Sequence, residues 1–309
     1  MKKLISNIVF TKNRPLQLHA YLESLYRFLP HGLIQTYVLY KVELFGQQYE
    51  QLFKRFPDCI VIREKNFQSD FLSIINQVDT PYILFGIDDV VYFDSVDFDL
   101  VDKTFYENSN DIFGFSFKLD PRRFEDTGDV IADVSIKGQT VHKLNWKTGR
   151  TRSSRYCFEL CATVYRTELV KKIIQGTMNS SPLLKKLFSP GSFLIRTMGK
   201  VVSARSTLKT FGYFYNPNTL ESWNCRWCQN HPDNLPSFLF FQNQKAIAIQ
   251  VNLVNTSTES EIAGSGEHTV ETLNEKYKRG CRLDVDFVAG LKPVAKNCGP
   301  ECFRLTNPS

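Results

Sequence analysis

Between residues 5 and 89, short apolar runs alternate with stretches whose apolar residues recur at helical spacing, and the last run ends on two acids. LISNIVFT reads as a strand. Leu16, Leu18, Tyr21, Leu22, Leu25 and Phe28 then repeat with the period of a helix whose first turn accommodates Pro15. TYVLYK, CIVIRE and YILFGI are the next strands. The helices between them are YEQLFKRF, stopped before Pro57, and DFLSIINQV, closed by Thr80-Pro81. Such alternation implies an α/β fold with parallel strands and helices on both faces of the sheet. Ligands of these sheets sit beyond the carboxyl ends of the strands. Thr11 to Arg14, Tyr40 to Lys41 and Asp88 to Asp89 all fall at such ends, so one crevice is expected to collect them.

After Asp120 the pattern loosens. The charged stretch PRRFEDTGD precedes DVSIKGQTVHKLNW, which reads as a hairpin turning near Lys137-Gly138-Gln139. Lys147, Arg150, Arg152 and Arg155, interleaved with Gly, Thr and Ser, mark a mobile loop, and residues 122–156 are expected to close as a lid. CFELCATVYR follows as a strand and TELVKKII as a helix, with another helix over 181–188. LESWNCRWCQN is a helix after the Asn216-Pro217 turn, AIAIQVNLV a strand, and TVETLNEKYKRG a final helix. Thr269 or His268 is its expected N-cap and Gly280 its C-terminal stop. No repeat or low-complexity segment interrupts the chain, which reads as one domain over 1–309 with a front half, 1–119, and a back half, 120–309.

Charge and cysteine usage narrow the classes. An excess of 38 Lys+Arg over 32 Asp+Glu gives +6, which suits a phosphate-bearing ligand or peripheral contact with an anionic membrane surface but does not call for nucleic acid. The opening MKKLISNIVF is ended by Thr11, Lys12, Asn13 and Arg14 before a signal-peptide core forms. No run reaches the ~18 apolar residues of a spanning helix. A soluble, cytoplasmic protein is expected, with the cytoplasmic face of a membrane as a place it can work. The 8 cysteines then read as reduced thiols. Cys225-x-x-Cys228 and Cys298-x-x-x-Cys302 offer a four-thiolate zinc site, so a non-enzymatic zinc-binding interaction module stands as an alternative. No Walker-type phosphate loop, HExxH or Gly-x-Ser-x-Gly motif is present, which argues against a P-loop NTPase, a zincin or an α/β-hydrolase.

The chemistry centres on Asp88 and Asp89. Adjacent acids at the mouth of a buried strand repel one another unless a hard cation such as Mn²⁺ or Mg²⁺ bridges them to phosphate oxygens; otherwise Asp88 caps a turn and Asp89 is solvated. SNIVFTKNRPLQLHAYLESL and PYILFGIDDVVYFDSVDF together resemble the opening strand and helix and the acidic metal motif of GT-A-fold glycosyltransferases, close to the family-2-like bacterial group. The adjacent pair Asp88-Asp89 departs from the strict Asp-x-Asp form. The resemblance is specific over residues 5–100 and weaker over 150–290.

It implies a GT-A, Rossmann-like sheet and transfer of a sugar from a nucleoside diphosphate sugar to a glycan, lipid-linked or small-molecule acceptor, with 1–119 binding the donor and 120–309 the acceptor. Thr11, Asn13, Arg14 and Asp88 would lie beside the donor, and Asp88 and Asp89 on the metal. Asn13 and Arg14 read equally as an exposed strand-to-helix turn. Asp70 is either a nucleoside contact or an N-cap for its helix, the cap being favoured. Asn252 and Asn255 end a strand and are candidates for late polar contacts to phosphate or metal, and His268 for a metal ligand. Arg150, Arg152 and Arg155 are candidates for a cover over the diphosphate. An inverting transfer needs a base, for which Glu221 is the candidate, in a helix whose Trp223 and Trp227 would face sugar rings; the plain alternative is a helix-end acid with both tryptophans in the core. A nucleotidyltransferase on a similar sheet is the rival enzyme, but VFTKNRP lacks the glycines that class places after its first strand.

Overall fold

The computed structural model describes residues 2–107, 110–179, 213–231, 233–252 and 266–306. The helix expected over 181–188 and Asn255 lie outside the described residues. β1 (Ile5–Lys12) is buried along all but its last residue, as a strand must be with neighbours on both edges and helices on both faces. β2 (Ile34–Lys41) and β4 (Tyr82–Ile87) pair with it in parallel, and β3 (Ile60–Arg63) adds in parallel outside β2. The returning segments are α1 (Pro15–Phe28), α2 (Gly46–Arg55) and α3 (Phe67–Gln77). Gly86 in β4 is required by packing: a β-carbon there would lie 2.0 Å from the hydroxyl of Tyr21, which crosses over the strand and donates to Asn7 Oδ1 at 2.6 Å.

The sheet continues through the second half of the chain. β9 (Thr163–Arg166) runs antiparallel between β4 and β6 (Ile112–Ser116), and β10 (Ser237–Phe241) lies parallel to β6. The hairpin β7 (Ile131–Ile136) and β8 (Gln139–Asn145) completes a nine-stranded mixed sheet, in the order β3-β2-β1-β4-β9-β6-β10-β8-β7. The expected α/β sheet with a parallel core is therefore what forms. The hairpin turn is Lys137-Gly138, with φ of 51° and 73°, the left-handed pair that a two-residue turn needs to match strand twist. Residues Ile131–Ile136 and Gln139–Asn145, within the lid expected over 122–156, are strands of the main sheet.

Helices α4 (Phe98–Glu107), α5 (Thr167–Asn179), α6 (Pro217–Gln229), α7 (Val270–Lys278) and α8 (Val285–Leu291) complete the layers. Apolar side chains from α1, α7 and α8 pack in one core, and those from α3, α5 and α6 in a second. A smaller sheet, β13 (Asn297–Cys298), β11 (Ala246–Ile249) and β5 (Val90–Tyr92), begins directly after the acid pair. β12 (Arg282–Leu283) pairs with β14 (Leu305–Thr306).

Several boundaries differ from expectation. The strand read over CFELCATVYR is confined to Thr163–Arg166, because Ala162 takes a left-handed φ of 48°. Helix α3 starts at Phe67, with Asn66 as its cap accepting from Ser69 N–H at 3.0 Å. Asp70 braces that cap from within the first turn, accepting from the N–H groups of Lys65 and Asn66. Thr269, not His268, caps α7.

Candidate active site

The carboxyl ends of β1 and β4 open into a cleft of about 1250 Å³ that also receives residues from the second half of the chain. Its wall is an interlocked polar cluster. Arg14 Nη1 donates to Asp88 Oδ1 at 2.8 Å, and Thr11 Oγ1 donates to Asp88 Oδ2 at 2.8 Å. Tyr49, from α2, meets Thr11 Oγ1 at 2.8 Å and accepts from Arg14 N–H at 2.9 Å. Arg14 and Asp88 are both buried, so each charge depends on the other. Burial works against the Arg14 charge, yet Asp88 and Asp89 outweigh it and hold the guanidinium protonated more firmly than usual.

Asp89 is placed differently. Its carboxylate lies 3.9 Å from Arg14 and keeps 14% side-chain exposure, against 3% for Asp88. Burial, with the Asp88 charge adding to it and Arg14 opposing, pushes the Asp89 carboxyl up to about 6. Both oxygens of Asp88 accept from side chains, whereas the Asp89 carboxylate lines the cleft with its own backbone N–H as donor and Arg14 at 3.9 Å.

Across the cleft, α6 is started by a capping box: Asn216 accepts from Thr219 N–H at 2.9 Å, and Thr219 Oγ1 accepts from Asn216 N–H at 3.0 Å. Glu221 lies beyond the first helical turn, which holds no acid, so the helix-end explanation for it fails. Burial first, and the charge of Glu159 second, push its carboxyl up to about 8 against a hydrogen bond from Tyr156 and the charge of Lys118. Lys118 is buried and bonds Glu159 Oε1 at 2.8 Å; burial depresses its basicity, but Cys161 and Glu159 more than restore it. Lys118, Glu159 and Tyr156 all line the cleft with Glu221. Of these, Lys118 carried a readable signal: it follows the apolar run IFGFSF much as the acid pair follows YILFGI. Glu159, Tyr156 and Tyr49 carried none.

The structure thus brings Thr11, Arg14, Asp88, Asp89 and Glu221 to one cleft and gives other expected residues different work. Asn13, at φ 54°, accepts from the N–H groups of Glu43 and Leu44 at 3.0 Å each, fixing the loop before α2. The Asn252 carbonyl accepts from Arg14 Nη2, and its Nδ2 donates to His268 O at 2.9 Å, so it braces Arg14 from behind. His268 packs its ring edge-on to Phe303 and is not gathered with the acid pair: among the described residues the one trio of Cys, His, Asp or Glu ligand atoms within 4.8 Å of one another is Cys298, Glu301 and Cys302. Arg155 bonds the Gly149 carbonyl and lies with Arg150, Arg152 and Arg226 around a side depression of about 470 Å³; of these four, Arg152 also lines the main cleft. Trp223 and Trp227 pack on the apolar core, Trp227 against Gly176, and the cleft's tyrosines are Tyr156 and Tyr215. The four-thiolate zinc site does not form, because Cys225 and Cys228 belong to one core and Cys298 and Cys302 to the other.

No protein-family model matches the chain. Over 208 residues it is 23% identical to the bifunctional glycosyltransferase pgtA of Dictyostelium discoideum. The likeness is to a glycosyltransferase. The matched region covers 60% of this chain and 27% of that relative, so the chain spans well under two thirds of the protein it resembles. Among solved structures, S. aureus TarS 1–349 aligns over 79% of this chain and 59% of its own, at 12% identity and a TM-score of 0.43. The mannosyltransferase PcManGT of Pyrobaculum calidifontis, in complex with GDP-Man and Mn²⁺, aligns over 72% and 73%, at 11% identity and a TM-score of 0.33. The description of the fold therefore rests on the strand order of the chain itself. Among the described residues no helix is long and apolar enough to cross a membrane.

Proposed function

We propose that the chain transfers a sugar from a nucleoside diphosphate sugar to a hydroxyl of a glycan, lipid-linked or small-molecule acceptor, with a divalent cation at Asp89 and Glu221 as the base. The observation that carries this reading is the sharing of one cleft by an acid pair at a parallel strand's end and a carboxyl held at about 8. The residues fit Mn²⁺ or Mg²⁺: such ions take one or two carboxylates and complete their shell with phosphate and water oxygens. Asp89 is the open carboxylate, and Asp88 holds Arg14 and Thr11 in place rather than offering a free oxygen. When bound, the cation would offset the charge that builds on the departing diphosphate.

In this reading the acceptor hydroxyl gives its proton to Glu221 as its oxygen bonds the anomeric carbon. The bond from that carbon to the diphosphate breaks, and the nucleoside diphosphate leaves with the electron pair. Arg14 and Thr11 border the donor side, Lys118 bonds Glu159 beside Glu221, and Arg152 supplies positive charge at the rim. Thermal shift with UDP- and GDP-sugars, with and without Mn²⁺, tests the donor class. A donor at ~100 times its Kd should add about 2.7 kcal/mol of stability. No stabilisation by any nucleotide sugar in the presence of Mn²⁺ would sink the reading.

A further inference from the structure

The turn that follows β13 gathers three metal-binding side chains away from the acid pair. Cys298, Glu301 and Cys302 place two sulfurs and a carboxylate oxygen within 4.8 Å of one another, the two thiols buried and Glu301 exposed. Glu301, though exposed, turns back toward the backbone. Its Oε1 accepts from Gly299 N–H at 2.7 Å, and a β-carbon at residue 299 would meet its Oε2 at 2.8 Å, so the carboxylate lies folded over its own turn. Among the described residues it has no ion-pair partner. Two sulfurs and a carboxylate oxygen so close together are ligand atoms of the kinds that zinc takes.

We infer that Cys298, Glu301 and Cys302 bind a thiophilic divalent cation, zinc foremost, at a site separate from Asp89. Zinc bonds thiolate at ~2.3 Å and carboxylate oxygen at ~2.0–2.2 Å, and such a set leaves one tetrahedral position for water. Two sulfurs favour zinc over Mn²⁺ or Mg²⁺, which prefer oxygen ligands. Binding releases the two thiol protons.

The placement gives the ion a structural task. β13 pairs in parallel with β11, the Cys298 carbonyl accepts from Gln250 N–H at 2.8 Å, and Ile249 N–H donates to the Asp89 carbonyl at 2.9 Å. Lys296 and Asn297, just before Cys298, line the main cleft. A cation here would pin the cleft's edge strand one hydrogen-bonded step from the acid pair.

Metal analysis of the full chain, purified without chelator and washed with excess Mg²⁺, tests the site. The expected result is about one zinc per chain, kept by Asp89→Asn and lost by Cys302→Ser. Cobalt exchange should give a thiolate-to-metal charge-transfer band that vanishes in the same variant. Should Cys302→Ser fail to fold, zinc protection of Cys298 and Cys302 against alkylation in the unaltered chain replaces it. Protection supports the site. Absence of zinc and of protection, zinc that survives Cys302→Ser, or a Cys298–Cys302 disulfide in its place would each overturn the inference. Loss of zinc through Asp89→Asn alone would instead place the metal at the acid pair.

Discussion

At the β4 end of the cleft, Asp88 gives one carboxylate oxygen to Arg14 and the other to Thr11, and Tyr49 and Asn252 hold those partners in turn. At the α6 end, Glu221 faces Glu159 across a shared lysine and is pushed up to about 8. A carboxyl group therefore sits in one place with both oxygens bonded by side chains and in another as an acid held near neutrality. Bonding on both oxygens ties the Asp88 wall together. Incomplete compensation leaves a group whose proton can move at ordinary pH, which is what a base requires. Asp89 lies between these extremes, at about 6, where an added cation rather than a proton can settle its charge.

The comparison breaks first at Glu221. Glu221→Gln keeps the shape of the neutral form, and sugar transfer should fall by ~10²–10⁴-fold while donor binding is kept. In the unaltered chain Glu221 is ionised above about 8, so under the proposed mechanism the rate should climb as pH rises through about 8 and fall away below it. A flat profile across that range, or near-normal transfer by the variant, would remove Glu221 from the reaction.

Arg14→Met should cost about 3–5 kcal/mol in denaturant unfolding, because it strands the Asp88 charge in a buried wall. A loss under 1 kcal/mol, the range of exposed pairs, would mean that Asp88 is solvated. Gly86→Ala should cost about 1–3 kcal/mol by driving a methyl group into Tyr21, measured by the same unfolding. The smallest effect sharpens the α6 end: Glu159→Gln removes the like charge beside Glu221 and should move the pH–rate midpoint downward. An unmoved midpoint would leave burial as the whole cause.

The parallel core and the acid pair were legible because burial on both faces writes a strand as a plain apolar run, and the charged residues at its end stand out against it. Arg14 and Thr11 followed from the same strand-end logic. What stayed hidden depends on contacts between distant segments. Nothing local marks Tyr49 as the partner of Thr11, or Glu159 as the neighbour of Glu221 from 62 positions away; the first pair needs α2 laid beside β1, and the second needs α6 brought to the segment before β9. Asn13 and Asn252 show roles that the sequence did not mark. Asn13 Oδ1 accepts from two backbone N–H groups, and Asn252 meets the Gln17 side chain and the His268 carbonyl. Trp223 and Trp227 likewise share a helix with Glu221 but turn to the core, a choice set by packing against α5.

The most direct test of the account is calorimetric titration of UDP and GDP, each with Mn²⁺, into the unaltered chain and into Asp89→Asn. The account predicts metal-dependent binding of at least one nucleotide that disappears in Asp89→Asn, while the melting temperature without ligand stays near that of the unaltered chain. Equal Mn²⁺-dependent binding by both proteins would contradict it.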